Sequence, residues 1–381
     1  MSPTRTRVPM VIVGAALLVA AGTASASDTT EPVDTTEPVE TTEPVETTEP
    51  LEGSDTTPAP ADLAPVGLII AQGGLGDASY NDLAFSGLER AAESLGLEAR
   101  PVESDDIVAQ GEQVLRRAAD AGFGLIIDLE FTHSEYFPTV AADFPDTLWS
   151  FFNLPIEGDN IRSVVFKEHE GSFLAGALAA MMTSVEDNEK INPQKVIGVV
   201  GGTVSEGIDK FISGYIEGAN HVDPEVEVLI SYTNDFGDPT TGRTAAEAMY
   251  DQGADIVFQV AGGAGLGVIE AAEDANRYAI GVDTDQDSLA PGFVLTSMVK
   301  RADVAVEQLM TEYAEGTFEG GTVLELGLAE DGVGLTEFTE TRDEIPDEFI
   351  AEIDELRQQI IDGDLEVWDV VAQGYPDWLP N

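Results

Sequence analysis

The chain has 381 residues, with 17 Lys and Arg against 72 Asp and Glu, for a formal net charge of −55. Its 43% of hydrophobic residues can build a core, and the absence of cysteine excludes disulfides, thiolate nucleophiles, Cys-ligated zinc, iron–sulfur clusters and a lipid-modified cysteine. The charge repels nucleic-acid phosphates, and the three histidines, His133, His169 and His221, cannot form an HExxH pair.

Residues 1–26 read as an export signal. Arg5 and Arg7 precede an apolar run over 8–21, and Ala24-Ser25-Ala26 forms a small-x-small cleavage site. The run is short for a membrane helix, although retention as an anchor is the alternative. Thr23 stands where a bacterial lipobox would place its cysteine, so an exported chain starting near Ser27 without lipid is expected. Residues 27–65 form a linker built on TTEPVE-type repeats, with 11 carboxylates and no Lys or Arg. Proline in every unit and mutual repulsion predict an extended, disordered tether.

From residue 66 the pattern changes to alternating strand and helix. Apolar runs at 66–71, 124–128, 148–152, 196–200, 226–232, 256–261 and 278–282 read as buried parallel strands. Amphipathic segments at 81–95, 107–121, 170–182, 208–219, 242–252, 268–276 and 301–315 read as helices between them. The length exceeds one comfortable core, which predicts two α/β lobes with doubly wound parallel sheets. The chain is expected to cross between them near 163–167 and to return near 297–300. The boundaries expected are 66–168 plus 299–326 for the first lobe and 169–298 plus 327–381 for the second.

Ligands in such sheets lie beyond the carboxyl ends of the strands. Four ends carry polar or glycine-rich turns: Asp77-Ala78-Ser79-Tyr80-Asn81, Thr233-Asn234-Asp235-Phe236-Gly237, Gly262-Gly263-Ala264-Gly265 and Asp283-Thr284-Asp285-Gln286. Asp77 or Ser79 also suits a helix cap. Val268 breaks a dinucleotide fingerprint, and neither a P-loop nor a GxSxG elbow occurs. Asp283-x-Asp285-x-Asp287 starts like a calcium loop, but Ser288 and Val294 stand where Gly and Glu belong. No cofactor and no metal are expected.

These strand ends, with Phe166-x-x-x-Glu170-Gly171-Ser172, Phe211-x-x-Gly214-Tyr215-x-x-Gly218-Ala219 and Thr296-Ser297-x-x-Lys300-Arg301, resemble the basic membrane protein family of ABC-transporter solute-binding proteins. The resemblance spans roughly residues 66–315 and implies two lobes of the type I periplasmic-binding-protein kind, joined by three hinge strands. It implies a purine-nucleoside ligand held between the lobes, with Phe85 and Phe236 sandwiching the base. Asp77, Gly262, Asp283 and Lys300 fall on ribose-holding positions, with Ser79 and Asn81 beside them. Asn153 falls near an Asp that reads the base. The expected partners are a small solute and a membrane permease. The expected state is a monomeric, non-enzymatic receptor outside the cytoplasm. A receptor or sensor for a sugar or other polar solute, and a nucleoside hydrolase, are the alternatives.

Overall fold

The computed structural model describes residues 63–379. The expected signal segment and nearly all of the linker lie outside them. In chain order the strands are β1 Val66–Ile69, β2 Ala99–Val102, β3 Leu125–Asp128, β4 Leu148–Phe152, β5 Ile161–Phe166, β6 Val196–Gly201, β7 Glu227–Tyr232, β8 Ala254–Val260, β9 Tyr278–Asp283, β10 Val294–Lys300, β11 Thr322–Leu326 and β12 Val333–Leu335. The helices are α1 Tyr80–Leu95, α2 Ile107–Asp120, α3 Phe137–Asp143, α4 Glu168–Met182, α5 Glu206–Val222, α6 Pro239–Asp251, α7 Leu266–Ala275, α8 Ala302–Glu315, α9 Asp347–Ile361 and α10 Val370–Gln373.

Two six-stranded sheets result, ordered β11-β5-β4-β3-β1-β2 and β12-β10-β9-β8-β6-β7. Every pairing in the first is parallel, and the second departs only where β12 runs antiparallel to β10. The inner strands β1, β3, β6, β8 and β9 are buried along their whole length, which requires the continuous apolar runs seen in the sequence. Among the described residues the backbone passes between the sheets three times: from β5 into α4, from β10 into α8 and from β11 to β12. Salt bridges from Arg90 on α1 to Asp303 and Glu307 seat α8 on the first lobe.

α4 is the central post of the second lobe. All its residues except Glu170 are buried, so it is apolar around nearly its whole circumference. It lies directly against α5. A Cβ at Gly176 would run into the Tyr215 carbonyl oxygen, and one at Gly218 into the Phe173 carbonyl oxygen. The glycine-spaced motifs on these two helices therefore serve backbone-to-backbone packing. Gly218→Ala is expected to lose about 1–3 kcal/mol by overpacking. A urea midpoint that falls at unchanged slope checks this, and an unchanged midpoint refutes it.

Candidate ligand-binding site

The carboxyl ends of the two sheets face each other across a cavity of about 330 Å³, within the range of small-molecule sites. The first lobe supplies the β1–α1 turn and the ends of β3 and β4. The second supplies the starts of α4 and α5, the Phe236 turn and the ends of β8, β9 and β10. Seven residues expected from sequence line it: Asp77, Asn81, Asn153, Phe236, Gly262, Asp283 and Lys300. Two do not.

The first of these is Phe85, which packs half-buried against the apolar core instead. Helical phase explains it: five residues along a helix rotate a side chain by about 140° relative to Tyr80. Tyr80, at the first position of α1, is the aromatic that this helix brings to the cavity. Ser79, the second, is fully buried behind the wall, where its Oγ donates to Asp283 Oδ2 at 2.6 Å.

The lining carboxylates differ in what they have left to offer. Asp77 Oδ1 accepts from the Ser79 and Asp82 N–H groups, and Oδ2 from the Asn81 N–H and Nδ2, all at 3.0–3.1 Å. Four bonds fill a carboxylate, so Asp77 caps α1 and shapes the wall. Burial raises its pKa despite those backbone donors. Asn81 is similarly occupied, because its Oδ1 accepts from Ala71 N and its Nδ2 also donates to the Gln72 carbonyl. Glu130 takes Gln72 and Thr132, each through backbone and side chain. Gly262 has φ +55°, a left-handed conformation, and carries the strand end close to the Phe236 backbone.

Asp283 differs from these. Ser79 holds one of its oxygens, while Oδ1 receives no protein hydrogen bond among the described residues. Burial pushes its carboxyl up to about 6, against the opposing pull of Lys300 and the Ser79 hydroxyl.

Lys300 is 5% exposed and sits at the junction of both lobes. Its Nζ donates to Asn153 Oδ1 at 2.6 Å and pairs with Glu168 Oε1 at 2.9 Å. The ammonium also lies 4.8 Å from the Tyr80 ring centroid and 5.0 Å from that of Phe166. Because Lys300 claims the Asn153 oxygen, the amide nitrogen turns to the Tyr80 hydroxyl, donating at 3.1 Å. Burial alone would raise the Glu168 pKa, but Lys300 and Lys210 outweigh it and hold the carboxyl below its usual value. Glu168, Tyr80, Glu130 and Phe211 line the site without having been singled out from sequence. For Tyr80 the signal was present, since it lies inside the Asp77–Asn81 motif. Glu168 falls on an unspecified position of the Phe166-x-x-x-Glu170 motif, whose Glu170 accepts from Leu328 N at the third crossing.

A family model described as ABC transporter substrate-binding protein, PnrA-like, matches residues 64–369. The chain belongs to that family. Among similar curated proteins, the CD4+ T-cell-stimulating antigen of Listeria monocytogenes is 31% identical over 79% of this chain and 87% of its own length. Basic membrane protein A of Borreliella burgdorferi is 32% identical over 81% and 88%. A crystal structure of an ABC transporter solute-binding protein from Aeropyrum pernix superposes with a TM-score of 0.74 at 28% identity, covering 80% of this chain and 93% of that one. As a PnrA-like substrate-binding protein, the chain has a small-molecule ligand and an ABC transporter as its partners. No helix among the described residues is long and apolar enough to cross a membrane.

Within this family setting the two phenylalanines separate by experiment. Phe236→Ala is expected to weaken ligand binding by about 1–3 kcal/mol if its ring stacks on a base. Phe85→Ala is expected to leave affinity unchanged and to lower the melting temperature, because its ring packs on the core. Calorimetric titration beside thermal melts checks both. A Phe85→Ala variant that melts normally and binds poorly would return Phe85 to the site.

Proposed function

We propose that this substrate-binding protein captures a ribosyl ligand, a purine nucleoside, between its lobes and releases it unchanged to a transporter from outside the cytoplasm. The observation that carries the reading is Asp283, whose Oδ1 takes no protein hydrogen bond among the described residues, lining one cavity with Lys300, Tyr80 and Phe236. A ribose offers hydroxyl donors to a carboxylate and oxygen acceptors to an ammonium, and charge-assisted bonds are about twice as strong as neutral ones. A base offers two flat faces to rings. Asp77 supports the reading as the cap that sets Tyr80, so the ribose acceptor is Asp283 alone.

The same accounting disfavours phosphate. The lining carboxylates Asp77, Glu130, Glu168, Glu206 and Asp283 surround one cavity cation, Lys300, which is already paired. A nucleoside 5′-monophosphate is therefore expected to bind at least tenfold more weakly than its nucleoside, about 1.4 kcal/mol. The 2′-deoxynucleoside is also expected to bind more weakly, through loss of a donor to Asp283. Titration of all three at two salt concentrations tests this. Equal affinity for the monophosphate refutes Asp283 as the sugar acceptor, and binding of none of the three refutes the nucleoside.

A further inference from the structure

We infer that Ser79 and Gln286 form a two-bond latch that closes the lobes over the cavity and positions Asp283, without either residue touching the ligand. The inference rests on the cavity being a ligand site between two moving lobes, and not on the ligand being a nucleoside. Both residues are fully buried, and neither lines the cavity. Ser79 belongs to the β1–α1 turn of the first lobe and Gln286 to the loop after β9 in the second. Ser79 Oγ donates to Asp283 Oδ2 at 2.6 Å, and Gln286 Nε2 donates to the Ala78 carbonyl oxygen at 3.0 Å. Each bond therefore joins one lobe to the other.

Gln286 is preset for this contact by its own lobe. Its Oε1 accepts from Gln259 Nε2 at 2.7 Å and from Val282 N at 3.0 Å, and its backbone N–H donates to Ser297 Oγ. With the oxygen doubly taken, the amide presents its N–H groups toward the first lobe. Backbone conformation marks both ends of the latch. Ala78 has φ +48° and Asp283 φ +65°, left-handed values for non-glycine residues. Such strain persists where surrounding contacts over-determine it, and it gathers at ligand clamps. Opening the lobes breaks both bonds and frees Asp283 from the hydroxyl that turns its other oxygen toward the cavity. The latch thus weights the closed form, and affinity for any ligand scales with that weight.

The absence of cysteine allows a direct test. Asp105→Cys and Thr240→Cys, both exposed and on opposite lobes, take spin labels for distance measurements by double electron–electron resonance. The full chain is first unfolded and refolded to strip bound ligand. The parent is expected to show a short-distance closed population without ligand, and Gln286→Glu to reduce it at least fivefold. Ser79→Ala, which removes one oxygen atom, is expected to reduce it too and decides the matter if Gln286→Glu does not fold. Inosine and adenosine are expected to lose affinity by the same factor in each variant, about tenfold, through faster dissociation. A parent without a closed population, or equal closed populations in parent and variants, overturns the latch. Unequal losses for the two nucleosides also overturn it, because they mean ligand contact. If neither nucleoside binds the parent, the nucleoside reading fails while the distance measurements still decide the latch.

Discussion

Lys300→Met is expected to remove about 3–5 kcal/mol of folding stability and to abolish measurable ligand binding. The stability term follows from burial. Taking one partner from a buried ion pair leaves the other charge with neither water nor counter-ion, and losses of that size are typical. Glu168, itself buried, would keep Lys210 Nζ at 3.2 Å from Oε2 but lose the 2.9 Å partner of Oε1. Asn153 would lose the donor that orients its amide. The double variant Lys300→Met/Glu168→Gln is expected to recover part of the lost stability, since Glu168 no longer carries a buried charge while Lys210 Nζ keeps Asp369 Oδ2 at 3.6 Å and the Phe166 carbonyl at 2.7 Å, and still not to bind. Urea denaturation with calorimetric titration reads both properties. A single variant as stable as the parent, or a double variant no better than the single, would show that the pair contributes little.

Asp283→Asn is expected to act in the opposite direction on stability. The folded carboxyl is pushed up to about 6 from an ordinary value of 3.8. A raised folded pKa gives stability that is complete below the unfolded pKa and is lost as pH rises through the folded one. By linkage the ionised side chain costs about 3 kcal/mol at pH 7.5. Asparagine carries no charge, still accepts from Ser79 and tolerates the left-handed backbone at 283. The ligand-free variant is therefore expected to be more stable than the parent at pH 7.5 and equal to it near pH 4. Binding is expected to fall by about 1.5–3 kcal/mol, the worth of a hydrogen bond to a charged group. Parent affinity should also decline as pH drops below about 6, where Asp283 takes up a proton, and the variant should lack that decline. Thermal melts at the two pH values, with titrations across pH 5–7.5, check the set. A variant less stable at pH 7.5 would show that the carboxylate is stabilised where it stands.

Most of the interior of both sheets was legible because buried parallel strands need unbroken apolar runs, and 148–152 matches β4 residue for residue, whereas the interior β5 and β10 were read only as crossings between the lobes. Apart from β7, the edges were not. β2 contains Arg100 and Pro101, β11 alternates exposed and half-buried residues, and β12 is three residues long. Such strands are set by the neighbour they pair with more than by their own composition. In the candidate site, strand ends pointed to loops that line the cavity, because in α/β sheets position in the topology decides where ligands lie. The side chains within those loops were harder. Phe85 and Tyr80 differ by helical phase, which depends on where α1 begins. The four intramolecular bonds of Asp77 exist only in three dimensions, so how fully its capping role occupies it was not legible beside its place on the cavity wall. Glu168 was hidden among 72 carboxylates, and Ser79 and Asp283 meet across 204 residues of sequence.

The two walls of the cavity differ in how freely they tolerate mutation. On the second lobe, Glu168 stands at the start of a helix buried on nearly every side, and Phe211 and Lys210 belong to the helix packed on it without a gap. Substitutions there disturb the core of the lobe. On the first lobe, the β1–α1 turn carries Gln72 and Asp77, and Gly74 and Gly76 between them open onto empty space. Gly73, Gly74 and Gly76 all have positive φ, so side chains there are strained even where space is open, and the turn can vary chiefly in length, provided the cap on α1 is kept. New ligand preferences should therefore arise more readily through the length of this turn than through the packed helices of the second lobe.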